Sequence, residues 1–204
     1  MSNTTGSFKY LNPFSPPGKA PDPYMPRLDV SRRGLRISLL SNMFTDATAF
    51  LTDLEEPLRP LLPTDATFRL FDKVHRRHTS YPLNETRVAE IAAESDALIT
   101  AFGHCGSCTA GTVRDTVAFA RAGVPVVALV TQKFMDEANF VARAAGIPTV
   151  PFVFLPHPTA GRDLPFQRAL ARAIAPLIVT ALTQGKTQFA MDILAQQPLH
   201  AEVA

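Results

Sequence analysis

The stretch ALITAFGHCGSCTAGTVRDTVAFARAGVPVVALV, residues 97–130, decides the fold. It opens on ALITAF (97–102), a short apolar run of the kind that forms a strand buried on both faces. GHCGSCT follows directly, and then Val113, Val117 and Ala120 recur at helical spacing, with Gly123 placed to end the helix. A second apolar run, VPVVALV (124–130), completes a strand–loop–helix–strand unit. Two fully apolar strands joined by a helix lie parallel, because only a crossover of that length returns the chain to the same edge.

The pattern repeats in both directions. Upstream, LRISLL (35–40) and ATFRLF (66–71) read as strands. Between them Ala47, Phe50, Leu51, Leu54, Leu58 and Leu61 form a helical stripe that Pro57 and Pro60 kink or end early. After the polar loop DKVHRRHTSYP, Asn84 is placed to cap a helix, with Leu83 and Val88 as its hydrophobic staple. Downstream, Phe134, Ala138, Val141 and Ala145 mark a helix closed by Gly146. IPTVPFVF (147–154) reads as a fifth strand, at an edge because Pro151 has no N–H to donate. Leu170, Ile174, Leu177, Ile178, Ala181 and Leu182 define a last long helix.

These runs predict an α/β fold: an open, mainly parallel five-stranded sheet with helices on both faces, flavodoxin- or Rossmann-like, over residues 35–184. Residues 1–34 hold six of the 18 prolines and read as a proline-rich extended arm, which Phe8, Tyr10, Phe14 and Tyr24 are able to pin to a surface. Residues 185–204 form a tail whose weak apolar pattern suits docking on the domain or on a partner. A length of 204 residues with 46% hydrophobic and 19% charged residues suits one domain with a sizeable core. A formal charge of +2, without basic runs interleaved with aromatics, argues against nucleic acid as a partner. No run has the length of a membrane span or the layout of a signal peptide, so the expected compartment is the reducing cytoplasm.

In that compartment a cysteine pair three residues apart points to chemistry rather than to a structural framework. In an open parallel sheet of order 2-1-3-4-5, ligands bind beyond the carboxyl ends of the strands, between the first and third. CGSC falls in the loop just after the third. Cys105 there stands at a helix N-terminus, where unpaired N–H groups and the dipole favour a thiolate, and Cys108 is able to reach it and close a disulfide. The simplest division of labour makes Cys105 the nucleophile and Cys108 the resolving thiol. Half a zinc site is the competing use of CxxC, but no second cysteine pair exists, and His104 and His157 lack zinc-finger spacing; no metal is expected. Neither a P-loop nor a Rossmann glycine fingerprint is present, so no nucleotide cofactor is expected either.

Around the pair, His104 adjoins Cys105, and His157 is held between Pro156 and Pro158 after a strand; both are candidate catalytic residues. Gly106, Ser107 and Thr109 open the helix and are candidates for substrate contact. Lys73 and His75 follow the second strand on the same rim and are candidates for binding a carboxylate and lowering the Cys105 pKa. Arg114 and Asp115 read as helix-face charges, Asp136 and Glu137 as first-turn carboxylates, and Asp46 and Asp53 as surface charges.

The segment 103–134 resembles the UGSC family, in which the first motif position is selenocysteine or cysteine. It is also similar to the carboxyl-terminal region of the selenoprotein B component of glycine, sarcosine and betaine reductases. The likeness rests on Cys105 and Cys108, Ala122 to Val127, and Pro156-His157-Pro158 followed by Gly161, and it extends upstream to LRISLLSN (35–42). The resemblance implies that Cys105 attacks an electrophile and Cys108 resolves the adduct. It further implies that His157 donates a proton or clamps substrate, and that Asn42 faces the same crevice. Two departures matter: cysteine stands in place of selenocysteine, and Phe44 stands where a lysine is expected.

The expected function is thus a thiol enzyme (an oxidoreductase, lyase or hydrolase) that cleaves a small, polar, carboxylate-bearing substrate, reductively or by hydrolysis or lyase chemistry, alone or with a companion subunit or a second copy. Two other readings stay open. One is a non-catalytic redox-sensing or structural subunit of a hetero-oligomer. The other is a thioredoxin-like disulfide exchanger, although its motif follows the first strand and is preceded by Trp, where this chain has Phe102, Gly103 and His104.

Overall fold

The computed structural model describes residues 21–73 and 80–190. In chain order it builds β1 (Arg36–Ser41), α1 (Ala47–Asp53), α2 (Glu55–Leu58), a 3₁₀ turn (Arg59–Leu61) and β2 (Thr67–Asp72). Then come α3 (Glu85–Ala93), β3 (Ala97–Gly103), α4 (Gly106–Arg121), β4 (Val126–Thr131) and α5 (Met135–Ala144). The described chain ends with β5 (Phe152–Leu155), α6 (Leu164–Gln184) and β6 (Gln188–Phe189). All the pairings are parallel, in the order β2-β1-β3-β4-β5-β6. The doubly wound α/β fold read from the sequence holds, and the strand order reverses between β1 and β3 as expected.

Alternation along the central strands splits the core in two. Leu39, Ile99, Leu129 and Val153 pack under α1, α2 and α6 with Phe50, Leu51, Ile174 and Ile178. Leu40, Leu98, Val126 and Phe152 pack on the other face, with Ile91, Val113, Val117 and Val141 of α3, α4 and α5. Each fully buried aliphatic side chain contributes about 1.5–3 kcal/mol, so these two layers hold the sheet rigid beneath its rim. The local signals act as read: Asn84 Oδ1 accepts from the Arg87 N–H at 2.8 Å, and Gly123 and Gly146 close their helices at φ +83° and +91°.

Two expectations change. The segment 147–151 is a turn rather than strand, so β5 begins only after Pro151, whose ring cannot donate to the ladder. β5 is also not the edge, because Gln188–Phe189 pairs outside it and gives the sheet a sixth strand. The predicted tail therefore starts by docking on the domain; Ala190 N–H donates to the Phe154 carbonyl at 2.9 Å. The described part of the arm is pinned by Tyr24, whose hydroxyl donates to the Val126 carbonyl at 3.2 Å and accepts from the Val126 N–H at 2.8 Å. Leu28 N–H donates to Leu182 O at 2.9 Å, and Asp22 N–H to Gly146 O at 2.8 Å. Among the described residues, no helix is long and apolar enough to cross a membrane.

Candidate active site

Four loops at the carboxyl ends of β1, β3, β4 and β5 meet on one rim. The loop after β3 turns into α4 through Cys105, whose extended backbone (φ −134°, ψ 168°) makes it the N-cap, with Sγ accepting from the Cys108 N–H at 3.2 Å. Cys105 and Cys108 form a disulfide, their Cα atoms 5.2 Å apart. Access is unequal. Cys105 is half-buried and Cys108 is 4% exposed. Ser107 is exposed, with its hydroxyl 3.7 Å from Cys105 Sγ. Thr109 is buried; its hydroxyl donates to the Cys105 carbonyl at 2.7 Å and so fixes the turn rather than facing outward. Gly103 lacks room for any side chain, since a Cβ there would stand 2.8 Å from both methyl groups of Val130. At Gly106 a Cβ would stand 3.4 Å from a Glu137 carboxylate oxygen.

The two histidine rings pack against each other, tilted by 35° with centroids 4.7 Å apart. His104 lies between His157 and Phe44, whose ring is 5.2 Å away on the other side. Its Nε2 accepts from the N–H groups of Thr159 and Ala160 at 3.1 and 3.2 Å, which places its proton on Nδ1. Burial, followed by the neighbouring His157, lowers its pKa and keeps it neutral. Such a ring ties the β3 loop to the β5 loop. His157 differs. Thr131 donates its hydroxyl to the Gly103 carbonyl at 3.2 Å, so at 3.1 Å it accepts from His157 Nδ1–H. That leaves Nε2 of His157 as its basic atom. Burial, and then the charge of Lys133, lower the His157 pKa, and Phe134 packs edge-on against the ring at 5.8 Å.

Asn42 reaches the crevice region but is fully enclosed. Its Nδ2 donates to the Phe102 carbonyl (2.7 Å) and the Thr112 hydroxyl (2.9 Å), while Oδ1 accepts from the N–H groups of Phe102 (3.1 Å) and Phe44 (3.0 Å). It clamps the irregular end of β3, where the register against β4 shifts between Ala101 and Gly103. Lys73 is likewise enclosed, with a side chain 1% exposed and paired with the equally buried Asp115 carboxylate of α4. Lys73 Nζ also donates to the Tyr81 carbonyl at 2.8 Å, and Asp115 Oδ1 accepts from the Leu83 N–H at 2.7 Å. Asp115 is therefore no helix-face charge; burial pushes its pKa up against the pull of Lys73. His75 lies outside the described residues.

Three residues of the rim were not expected there: the sequence marked Glu137 as a first-turn carboxylate and Asp46 as a surface charge, and gave Thr131 no role. Glu137 is half-buried beside the start of α4, without a hydrogen-bond or ion-pair partner among the described residues, and burial raises its pKa. Asp46, in a left-handed conformation (φ 65°), accepts from the Gly161 N–H at 2.7 Å and from Gln167 Nε2 at 3.1 Å; it ties the β1 loop to the β5 loop instead of facing solvent. Thr131 orients His157; a polar residue ending the apolar run 124–130 was its only signal. The rim thus presents an accessible sulfur, a second sulfur behind it, a neutral imidazole whose Nε2 has no partner among the described residues, and a carboxylate of raised pKa. Among the described residues there is no cluster of His, Cys, Asp and Glu suited to a metal.

The model of the UGSC family matches residues 9–184, a span that includes every rim residue described above. No curated protein matches the chain.

Proposed function

We propose that this chain, which belongs to the UGSC family, is an enzyme that reductively cleaves a small carboxylate- or carbonyl-bearing substrate with its two cysteines. The observation that carries the reading is the unequal pair: two sulfurs at bonding distance, one accessible and the other shielded. An attacking thiol must be reached by substrate, whereas a resolving thiol need only reach its partner.

The cycle starts from the dithiol. Cys105 S–H gives its proton to His157 Nε2, and the Cys108 N–H together with the α4 dipole stabilises the thiolate. The thiolate attacks the carbon of R–X next to a carbonyl or carboxylate; the C–X pair leaves with X as the anion. Cys108, deprotonated by a base such as Glu137, attacks Cys105 Sγ. The S–C bond breaks, its electron pair departs on R as an enolate, and R takes the proton held by His157. In sum, R–X and two thiols give R–H, HX and the disulfide. A dithiol reductant, of the kind the cytoplasm maintains, restores the pair. A companion subunit or a second copy is compatible with this cycle. The resemblance to selenoprotein B supports the same chemistry, with sulfur the weaker nucleophile and leaving group.

Intact-mass analysis tests it. Reduced wild type, Cys105→Ser and Cys108→Ser are exposed to α-halo ketones and α-halo carboxylates. Cys105→Ser forms no adduct, Cys108→Ser accumulates one, and wild type releases R–H while consuming one dithiol per turnover. Exchanged roles of the two cysteines refute the assignment. Absence of turnover, or reduction of insulin disulfides at comparable rate, favours the redox subunit or the thioredoxin-like exchanger respectively.

A further inference from the structure

Beside His157 an open groove of about 620 Å³ is walled by Gln132, Lys133, Met135, His157 and Phe189. It lies beyond the carboxyl ends of β4 and β5 and against β6, on the rim where doubly wound sheets hold ligands. Its walls divide by chemistry. Lys133 is exposed and has no hydrogen bond or ion pair among the described residues, yet its charge bears on His157. No wall residue is acidic. Asp136 and Glu137 come next along the chain, but neither is a wall, and Glu137 is turned to Gly106. Met135 and Phe189 supply apolar surface, and Phe189, its ring tilted against Phe154 at 5.4 Å, is 49% exposed although it lies on a strand.

One unpaired cation, a neutral imidazole, an amide and two apolar side chains match one ligand class. We propose that the groove binds the substrate as an amphipathic monocarboxylate, its carboxylate on Lys133 and its apolar chain or ring along Met135 and Phe189. A zwitterionic amino acid is disfavoured, because its ammonium would meet Lys133 and no carboxylate. This deepens the reductive reading, and rests on it for the word substrate: the reacting carbon would lie on the His157 side of the groove.

The test uses Cys105→Ser/Cys108→Ser, which is incapable of adduct formation, with hexanoate, acetate and hexylamine as probes. The ring resonances of His157 are followed by NMR, the chain having no Trp to report by fluorescence. Hexanoate is expected to shift them saturably and to bind about tenfold more tightly than acetate, since part of its chain is covered. Hexylamine leaves them unmoved. Lys133→Met weakens hexanoate about tenfold and Lys133→Arg restores most of the loss. Phe189→Ala cuts the preference for hexanoate over acetate, Met135 alone remaining to cover the chain, and affects acetate less than hexanoate. Equal response to hexanoate and hexylamine, or an unchanged affinity in Lys133→Met, overturns the proposal. Adducts on Cys105 of a chain that ignores hexanoate sink the groove and leave the thiol chemistry standing. Hexanoate binding in a chain whose Cys105 never forms an adduct does the reverse.

Discussion

Replacing Lys73 with Met separates two uses of that residue. A lysine that held substrate carboxylate would be lost without harm to the fold. In the structure, however, Lys73 and Asp115 side chains are each 1% exposed and face one another. Lys73→Met leaves the Asp115 carboxylate buried with only the Leu83 N–H, and deprives the Tyr81 carbonyl of its donor. Removing one partner of such a pair costs about 3–5 kcal/mol, because the remaining charge is uncompensated. With a urea m-value of about 2 kcal/mol/M, the unfolding midpoint falls by about 1.5–2.5 M. The double variant Lys73→Met/Asp115→Leu, which removes both charges, regains most of the loss, and the cycle reports a coupling of about 2 kcal/mol or more. The pH dependence has a definite sign. Asp115 already has a raised pKa in the fold, and losing Lys73 raises it further. A carboxyl whose folded pKa exceeds its unfolded one favours folding below the unfolded value and ceases to as pH rises through the folded value. The deficit of Lys73→Met therefore shrinks on acidification from pH 7 to 5. A cost below about 1 kcal/mol, or additive single variants, refutes the argument and returns Lys73 to the list of substrate ligands.

Three further outcomes are expected. Asn42→Ala leaves the Phe102 N–H without its side-chain partner and the Phe102 carbonyl with only the Thr112 hydroxyl at 3.4 Å, and lowers stability by about 1–3 kcal/mol in urea titration; an effect under about 0.5 kcal/mol contradicts the clamp. His104, with a folded pKa below its unfolded value, makes stability fall as pH drops below about 6.5, where the unfolded chain takes up the proton first; His104→Phe keeps the stacking but loses that part of the slope and leaves two N–H groups unpaired, which thermal melts at pH 5 and 7.5 resolve. Glu137→Gln removes the carboxylate beside the Cys105 turn, so alkylation of reduced Cys105 at pH 6.5–7 speeds up about threefold; an unchanged pH profile shows that Glu137 does not sense the thiol.

The sheet was legible because its buried strands are continuous apolar runs, and the helices because their stripes are interrupted by Asn84, Gly123 and Gly146 at the right places. β6 was not: two residues, Gln188 and Phe189, carry no periodicity, and only their pairing with β5 makes them a strand. Ile147 and Val150 read as strand because their burial is real, yet the backbone between them turns. At the rim, the cysteine pair, His104 and His157 were identifiable from residue type and place after strands. What each does depends on partners far along the chain. Thr159 and Ala160 offer only main-chain N–H groups to His104, which no side-chain pattern reveals. Lys73 and Asp115 each resemble a surface charge until the fold brings them together. Asn42 was placed on the right loop and given an outward duty, whereas all its hydrogen-bonding capacity turns inward.

Tyr24 carries a consequence for the order of assembly. Its hydroxyl grips both main-chain groups of Val126, a residue 102 positions later. At ribosomal rates of about 5–20 residues per second, Tyr24 waits about 5–20 s for Val126 to be synthesised. Through that interval the Tyr24 and Leu28 side chains, buried in the finished fold, have not reached their places, and Leu28 waits longer still, for Leu182. Pulse-labelled nascent chains should accordingly resist protease in the β3–α4 region before they do so around Tyr24.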